Sequence, residues 1–417
     1  MVTKKVVVTG LGVLNCCGKT VNEYWKSLLE GKNGISLIEN FDASDLPSRI
    51  AGEIKNYDPN DYVDKKIVKR TDKFIHYSLT AAYEAVKDAG LDNESANIDK
   101  NRVGVIFGSG IGGIEIFYDT SVAHSAGGWK KVSPFFIPSL ITNMAGGMIA
   151  LEYGFRGVNY SISTACASSS HSMIEACHSI QRGECDIVVT GGSEAPITAI
   201  GFSGFCAARA LSTRNDAPEK ASRPFDKGRD GFVMSEGAGC IVLESEESAL
   251  RRGAKIYAEF VGGGMSCDAY HMTAPCEDGS GAALAMQNAL TNCGLKAEQI
   301  NLVNMHGTST QLGDIAETLA VKKVFGEYAK KLKLQSTKSM VGHLIGAAGV
   351  SEAIAVIKSI ETKRTHGTMN LEEPDEQCDL DYLANKAVDM DIQYAISNSF
   401  GFGGQNASIV LGQYNKK

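Results

Sequence analysis

Cys166 stands in the run STACASSS at 163–170, where a predicted strand at 159–163 passes into a predicted helix that extends to Gln181. A thiol at such an elbow lies near the positive end of the helix dipole. The dipole and the unpaired backbone N–H groups both favour thiolate over thiol. The neighbouring alanines and serines are small, so an acyl chain could reach the sulfur. The position therefore predicts a nucleophile, although a lone cysteine is more often a small buried hydrophobe.

Two histidines follow predicted strands in loops that contain glycine. His306 lies in NMHGTST at 304–310, and His343 lies in KSMVGHL at 338–344. Because the carboxyl ends of parallel strands meet at one edge of a sheet, one pocket could hold both imidazoles and the Cys166 thiol. Histidines without such flanks are interpreted as hydrogen-bonded core or surface residues: His76, His124, His171, His178 and His366.

The elements that must position these residues alternate between apolar runs of strand length and longer segments of helical period. This alternation predicts βαβ units and largely parallel sheets that are covered on both faces. One helix is predicted at 72–91, where Phe74, Tyr77, Ala81 and Ala85 fall on one face. The strands are predicted at 5–9, 103–108, 159–163, 187–190 and 240–243, and in a second series at 256–261, 302–304, 333–335, 394–397 and 407–411.

The two series of strands resemble each other, because each begins with a strand, alternates with helices and closes with two strands. Each also contains a short polar segment that leads into an alanine-rich helix, at 163–166 and at 336–338. This self-similarity predicts a duplicated α/β chain. One half, 1–255, would carry the nucleophile, and the other, 256–417, would carry the two histidines.

Composition and glycine spacing narrow the functional classes. Apolar residues make up 43% and charged residues 21% of the 417 residues, which is ordinary for a globular protein. The net charge of −7 argues against a general nucleic-acid binder. The run GSGIGG at 108–113 lacks the G-x-G-x-x-G spacing of a dinucleotide loop, so these glycines are interpreted as tight turns close to a ligand.

The cysteines and the apolar runs bear on the compartment. Eleven cysteines without CxxC or zinc-finger spacing favour a reducing cytosol, and no metal site is expected. No apolar run approaches the length of a membrane span, and the N-terminus shows no signal-peptide pattern. We therefore expect a cytoplasmic protein without a membrane span.

Taken together, these motifs resemble the β-ketoacyl synthase family, the condensing enzymes of the thiolase superfamily. The resemblance covers nearly the whole chain and rests on the nucleophile run, the HGTST run with Asp314, the segment 338–349 and the closing NSFGFGG at 398–404. It implies a thiolase-like fold, with duplicated α/β halves in a layered α-β-α-β-α architecture. The Cys-His-His set resembles the elongating synthases, and Ile111 resembles type II rather than type I.

The resemblance implies a 3-oxoacyl-[acyl-carrier-protein] synthase reaction of fatty-acid elongation. Cys166 would accept an acyl group, and malonyl-carrier protein would then lose carbon dioxide and attack the acyl-enzyme. His306 and His343 would stabilise the charge that builds on the malonyl thioester oxygen. The residues do not decide which histidine, if either, is a base. Lys338 resembles the family's active-site lysine and would act through Glu352.

The resemblance assigns further residues around the pocket. Phe402, between Gly401 and Gly403, would gate it, because glycines permit the backbone excursions that a gate needs. The N–H groups of Cys166 and Phe402 would form a second oxyanion hole. Supporting residues would be Thr308, Thr310, Asp314 and Glu352, and the acyl pocket would include Ile111 and Phe400.

The implied partner is an acidic acyl carrier protein, which brings the phosphopantetheine, so no cofactor of the chain's own is expected. A basic rim would steer that partner, and ordinary solvated lysines are the alternative interpretation. Members of the family are homodimers, so a homodimer is expected. The candidate docking residues are Lys65, Lys66, Lys69, Arg70, Lys130, Lys131 and Arg209.

Three other interpretations stay open at this point. A cysteine hydrolase that uses Cys166 and His306 would release free acid, but it gives no task to His343, Lys338 or Phe402. A non-catalytic partner subunit, such as a chain-length factor, would lack the nucleophile. A condensing enzyme of polyketide synthesis is disfavoured, without proof, because no flanking linker or extra domain is seen.

Overall fold

The computed structural model describes residues 4–92 and 98–415, and a ten-stranded mixed sheet forms its centre. The strands of the described residues are β1 (Val6–Asn15), β2 (Ser36–Leu37), β3 (Ile50–Ala51), β4 (Val103–Gly108), β5 (Asn159–Tyr160), β6 (Ile187–Glu194), β7 (Gly237–Ser245), β8 (Ala258–Cys267), β9 (Leu302–Asn304), β10 (Lys333–Gln335), β11 (Arg364–Thr365), β12 (Val388–Asp389), β13 (Tyr394–Gly401) and β14 (Gln405–Gly412).

Helices cover the sheet on both faces. In the same described ranges they are α1 (Val21–Leu29), α2 (Lys65–Val68), α3 (Lys73–Asp88), α4 (Ile114–Gly127), α5 (Phe136–Leu140), α6 (Met144–Tyr153), α7 (Ser168–Gln181), α8 (Ala199–Ala207), α9 (Glu246–Arg251), α10 (Ser280–Cys293), α11 (Gln311–Phe325), α12 (Lys338–Val341) and α13 (Ala348–Thr362). No helix among the described residues is both long and apolar enough to cross a membrane.

All ten predicted strands occur in the central sheet, in the order β10-β9-β13-β14-β8-β1-β7-β6-β4-β5. The prediction of largely parallel pairing is wrong, because five neighbouring pairs are antiparallel and four are parallel. Apolar periodicity identifies a strand but not its direction, which depends on the connection. The turn between β13 and β14, for example, is too short for the crossover that a parallel pair requires.

The two halves of the sheet repeat each other. Read from the middle outward, β8-β14-β13-β9-β10 and β1-β7-β6-β4-β5 place corresponding strands in the same order. The halves join where β1 pairs with β8 through Val7 and Val8 alone. This order supports the duplication that the sequence suggests.

The helices fall into three layers around the two half-sheets. α7 contacts strands of both halves and packs against α13, so these two buried helices form the central layer. α3 and α6 pack on strands of the first half, whereas α10 packs on strands of the second half and against α11. The result is the layered α-β-α-β-α architecture that was expected.

Helix α3 shows how sequence sets the bounds of these elements. The side chain of Asp72 caps the helix by accepting a hydrogen bond from the backbone N–H of Phe74, and Gly90, with φ of +66°, follows the last turn. Phe74, Tyr77, Ala81 and Ala85 are all buried, as predicted. The predicted helix at 72–91 is therefore confirmed, with slightly narrower bounds.

Candidate active site

Cys166 lies between β5 and α7, in the one-turn 3-10 segment Ala165–Ala167. Ala165 has φ of +48°, a left-handed conformation that non-glycine residues avoid, so the backbone is strained next to the sulfur. The N–H groups of Cys166 and Phe402 both act to lower the pKa of the thiol. Both backbone donors therefore favour the thiolate form of this residue.

The thiol of Cys166 is protonated at neutral pH. Burial raises its pKa to about 12 and outweighs the opposing effects of Lys338 and the N–H of Phe402. The helix N-terminus that was expected to favour the thiolate is present. Its effect on the thiol pKa is outweighed by the large desolvation cost of burial. The sulfur therefore needs a proton acceptor before it can attack, and Nε2 of His343 lies 3.0 Å from Sγ.

His306 and His343 face each other, with ring centroids 5.3 Å apart and ring planes at 86°. The sulfur of Cys166 and one nitrogen of each imidazole lie within 4.8 Å of one another. Burial lowers the pKa of both imidazoles well below the usual range, and Lys338 adds to this effect. Both rings are therefore neutral at neutral pH, and each can donate one N–H to a developing oxyanion.

The two imidazoles differ in how their protons are held. Nζ of Lys338 lies 3.4 Å from Nδ1 of His306. Because an ammonium group can only donate, Nδ1 is the acceptor and the ring proton of His306 is on Nε2. Nδ1 of His343, in contrast, has no hydrogen-bond partner among the described residues. His306 is thus fixed as a donor, whereas Nε2 of His343 can accept a proton in one step and donate it in another.

Lys338 and Glu352 form a buried ion pair behind His306. Lys338 opens α12 and Glu352 lies in the second turn of α13, and each side chain is only 1% exposed. Burial raises the pKa of Glu352 to about 6, while the ammonium of Lys338 acts to lower it. The carboxyl is therefore ionised at neutral pH and holds the ammonium against His306.

The loop that carries His306 is held by two buried carboxylates on α11. Asp314 accepts hydrogen bonds from the N–H groups of Ser309 at 3.2 Å and Phe225 at 2.8 Å. Glu317 accepts from the N–H of His306 itself at 2.7 Å, and from Gly307 at 2.8 Å. Sequence reasoning named Asp314 but missed Glu317. The signal was a second acid three residues after Asp314.

A further carboxylate that sequence reasoning missed is Glu194, the last residue of β6. It is buried, and it accepts the N–H groups of Gly110 at 2.8 Å and of Gly346 at 3.0 Å. The available signal was an acid four residues after the predicted strand at 187–190. Three missed residues of another kind, Phe205, Phe232 and Ile345, line the cavity beside Cys166.

An apolar cavity of about 220 Å³ opens beside the sulfur. The predicted acyl-pocket residues Ile111 and Phe400 line it, as do Thr308 and Phe402. A second cavity, of about 90 Å³, shares His306, Phe400 and Phe402 with the first. The two aromatic rings therefore stand between the cavities, which is where a gate would have to be.

The segment around Phe402 has the geometry of a tight turn. A Cβ on Gly401 would lie 2.8 Å from the carbonyl oxygen of Thr164, so only glycine fits there. Gly403 has φ of +84°, which favours glycine. The ring of Phe402 is 37% exposed, with its centroid 6.4 Å from that of Phe205.

Comparison with known proteins identifies the family. The protein-family model described as "Beta-ketoacyl synthase, N-terminal domain" matches residues 3–249. The family model described as "Beta-ketoacyl synthase, C-terminal domain" matches residues 257–372. The chain belongs to the β-ketoacyl synthase family. The expected fold is confirmed with it, since solved ketosynthases superpose on the whole chain.

Individual members of the β-ketoacyl synthase family match over nearly full length. The 3-oxoacyl-[acyl-carrier-protein] synthase 2 of Vibrio harveyi is 49% identical, covering 99% of each chain. The chloroplastic synthase II of Arabidopsis thaliana is also 49% identical, covering 99% of this chain and 76% of its own length. A chain from a type II PKS acyl-carrier protein in complex with its ketosynthase superposes with a TM-score of 0.92 at 34% identity, covering 99% of this chain and 100% of its own.

The basic residues named for carrier docking are exposed, in contrast to the buried site. All seven are exposed, and none forms an ion pair within residues 4–92 and 98–415. Lys65 and Lys66 lie in α2, and Lys69 and Arg70 follow it directly. Lys130 and Lys131 lie just after α4, and Arg209 lies just after α8.

Thr308 and Thr310, the remaining predicted supporting residues, contact each other. Their hydroxyl oxygens are 3.0 Å apart, in the turn between His306 and α11. Thr308 also lines the cavity beside Cys166. The cavity wall is therefore polar at this point.

Proposed function

We propose that this chain catalyses the 3-oxoacyl-[acyl-carrier-protein] synthase reaction of fatty-acid elongation. Relatives of that name are 46–49% identical over 99% of the chain, whereas the polyketide complex is 34% identical. The observation that carries the chemistry is the 3.0 Å contact between Sγ of Cys166 and Nε2 of His343, beside an apolar cavity that also holds His306.

In the first half-reaction, the sulfur of Cys166 attacks the acyl thioester of the carrier protein. Its proton passes to Nε2 of His343, because that nitrogen lies within hydrogen-bond distance and is unprotonated in one tautomer. The N–H groups of Cys166 and Phe402 stabilise the tetrahedral oxyanion. The thiol of the carrier's phosphopantetheine leaves with one proton, and the acyl chain stays on Cys166 in the apolar cavity.

In the second half-reaction, malonyl-carrier protein loses carbon dioxide, and the electron pair of the broken bond forms an enolate. His306, fixed as a donor through Lys338, and His343, now in the tautomer with its proton on Nε2, donate N–H bonds to the enolate oxygen. The enolate carbon attacks the acyl carbonyl and displaces the sulfur of Cys166 as a thiolate, which takes up one proton from solvent. The product is a 3-oxoacyl-carrier protein two carbons longer.

The carrier protein is proposed to dock on the exposed basic residues. One related structure pairs a ketosynthase with a type II acyl-carrier protein. The side chains of Lys65, Lys66, Lys69 and Arg70 are exposed, so they are free to meet an acidic partner. The phosphopantetheine would arrive on this partner, and no further cofactor is proposed.

A homodimer is proposed to form along β5, which is an edge strand of the sheet. Its residues Asn159 and Tyr160 are both exposed, and an unpaired edge is a template for pairing. Leu151, in the helix α6 that contacts β5, is also exposed, at 72%. A second copy that pairs through β5 would cover these residues.

Two further assignments belong with this proposal. We place the boundary between the halves at residues 255 and 256, because β1–β7 precede it and β8–β14 follow it. We place the chain in the cytoplasm, supported by eleven free cysteines, which suit a reducing compartment. The chloroplastic Arabidopsis relative shows that location differs among relatives.

The reaction is tested by intact mass after mixing with an acyl-carrier-protein thioester, followed by a malonyl-carrier-protein chase. We expect an acyl adduct on Cys166 that disappears into a 3-oxoacyl product two carbons longer. Cys166→Ala is expected to abolish the adduct, and Cys293→Ala, at the end of α10 and outside the linings of both cavities, is the matched control. An adduct that decays to free fatty acid would identify a hydrolase instead.

A further inference from the structure

Glu194 is a buried carboxylate without a cation partner. It accepts hydrogen bonds from the Ser109 hydroxyl at 2.8 Å and from the N–H groups of Gly110 at 2.8 Å, Ile111 at 3.1 Å and Gly346 at 3.0 Å. It forms no ion pair among the residues that the structure describes. Burial raises the pKa of this carboxyl, and the hydrogen bonds from Ser109, Ile111, Gly110 and Gly346 oppose that effect, so these donors take the place of a cation.

The donors come from two loops that are far apart in sequence. The first contains Ile111 and the second contains Ile345, and both isoleucines line the cavity beside Cys166. Oxygen Oε2 of Glu194 receives one N–H from each loop. One carboxylate thus fixes the distance between two walls of the same pocket.

The space around Oε2 of Glu194 admits no additional side-chain atom from the two glycines that contact it. A Cβ on Gly110 or on Gly346 would each lie 2.7 Å from Oε2 of Glu194. Ile345 also has φ of +50°, an unfavourable conformation that the hydrogen bond of Gly346 helps to hold. The loops are therefore held by Glu194 in a conformation that they would not adopt alone.

His343 is anchored independently of Glu194. Its backbone N–H donates to the carbonyl of Val233 at 2.7 Å, and its carbonyl accepts from the N–H of Ser235 at 2.9 Å. His306 is held by Glu317, on another element. Loss of the Glu194 contacts should therefore move the pocket walls and leave both imidazoles in place.

We infer that Glu194 is the positioning residue that sets acyl-chain selectivity, because it ties the Ile111 and Ile345 walls of the acyl pocket together. This inference rests on the proposed function. An amide at position 194 has one oxygen for these donors, and its NH₂ group would face N–H groups. Glu194→Gln should thus release one wall while the shape of the residue is kept.

The test measures two half-reactions separately in the full-length protein. Acylation of Cys166 is followed by intact mass with saturated acyl-carrier-protein donors of increasing length. Decarboxylation of malonyl-carrier protein alone is followed by release of carbon dioxide. In Glu194→Gln we expect the rate ratio between preferred and disfavoured donors to fall about tenfold, since displaced walls lose their fit to one chain length. We expect decarboxylation to stay within about twofold of wild type, because both imidazoles keep their supports.

Glu84→Gln is the matched control. Glu84 also accepts two backbone N–H groups, from Val13 and Val21, but neither residue lines the cavity. It should keep the wild-type chain-length profile, so a similar change in this variant would overturn the inference. So would a uniform loss in Glu194→Gln across all chain lengths, or an equal loss of decarboxylation.

A milder variant keeps the test decisive if Glu194→Gln does not fold. Ser109→Ala removes one donor and leaves the carboxylate, so it should shift the profile in the same direction by less. An unchanged profile in Ser109→Ala would then overturn the inference. A wild type that elongates acyl chains establishes the proposed function whatever the variants do, and one that forms no adduct on Cys166 overturns both.

Discussion

Replacing Lys338 with Met should destabilise the fold through the charge that it leaves behind. Glu352 would then be a buried carboxylate whose remaining contact is Nδ2 of Asn304, at 3.5 Å. Both members of the pair are 1% exposed, so water cannot replace the missing ammonium. Removing one member of a buried ion pair costs about 3–5 kcal/mol in the free energy of unfolding.

The double variant Lys338→Met, Glu352→Leu separates this cause from lost packing. It leaves no unpaired charge, and exchanging a whole buried pair for apolar residues is often close to neutral. We therefore expect its loss to be less than half that of the single variant. Urea unfolding at pH 7.5 measures both losses.

The pH dependence of the single variant gives a second check. Burial already raises the pKa of Glu352 to about 6, and loss of Lys338 raises it further. A carboxyl whose pKa is higher in the folded than in the unfolded chain destabilises the fold as pH rises through that folded value. The loss should therefore be smaller at pH 5 than at pH 7.5. Equal losses in single and double variants, or no pH dependence, would refute the reasoning.

Three further outcomes are expected. Because burial raises the pKa of the Cys166 thiol to about 12, its alkylation by iodoacetamide should speed up about tenfold per pH unit from pH 7 to 9; a plateau in this range would contradict it. Burial lowers the pKa of His366 from 6.5 to about 4, so acidification from pH 7.5 to 5 should cost about 2 kcal/mol of unfolding free energy through this residue. Urea unfolding should show that the unfolding free energy of His366→Gln falls by about 2 kcal/mol less than that of wild type over this pH range. Equal pH dependence in variant and wild type would contradict this prediction. Charge reversal at Lys69 and Arg70 should raise KM for carrier-bound acyl donors only, and an unchanged KM would remove these residues from the docking surface.

Much of the fold could be read from local pattern. The strand at Val103–Gly108 and the helix at Lys73–Asp88 were predicted nearly to the residue, because side-chain periodicity and caps are local properties. Strand direction depends on connections and pairings that are not local, and it was predicted wrongly. The antiparallel pairing of β1 with β7 joins residues more than 200 positions apart.

The candidate site divides in the same way. Cys166, His306 and His343 could be named from the sequence because each stands in a short motif after a strand. Glu194 and Glu317 were missed, because the sequence gives only a weak signal for a carboxylate outside a motif. Its role comes from the N–H groups that folding brings to it.

The sequence by itself determined which residues are proposed to carry the chemistry and which elements present them. The tertiary structure decided their protonation and their partners. The thiol of Cys166 stays neutral because the effect of burial on its pKa outweighs that of the helix N-terminus. The ring proton of His306 is on Nε2 because Nδ1 accepts a hydrogen bond from Lys338. Desolvation and hydrogen bonding depend on atoms that are distant in sequence and adjacent only in the folded chain.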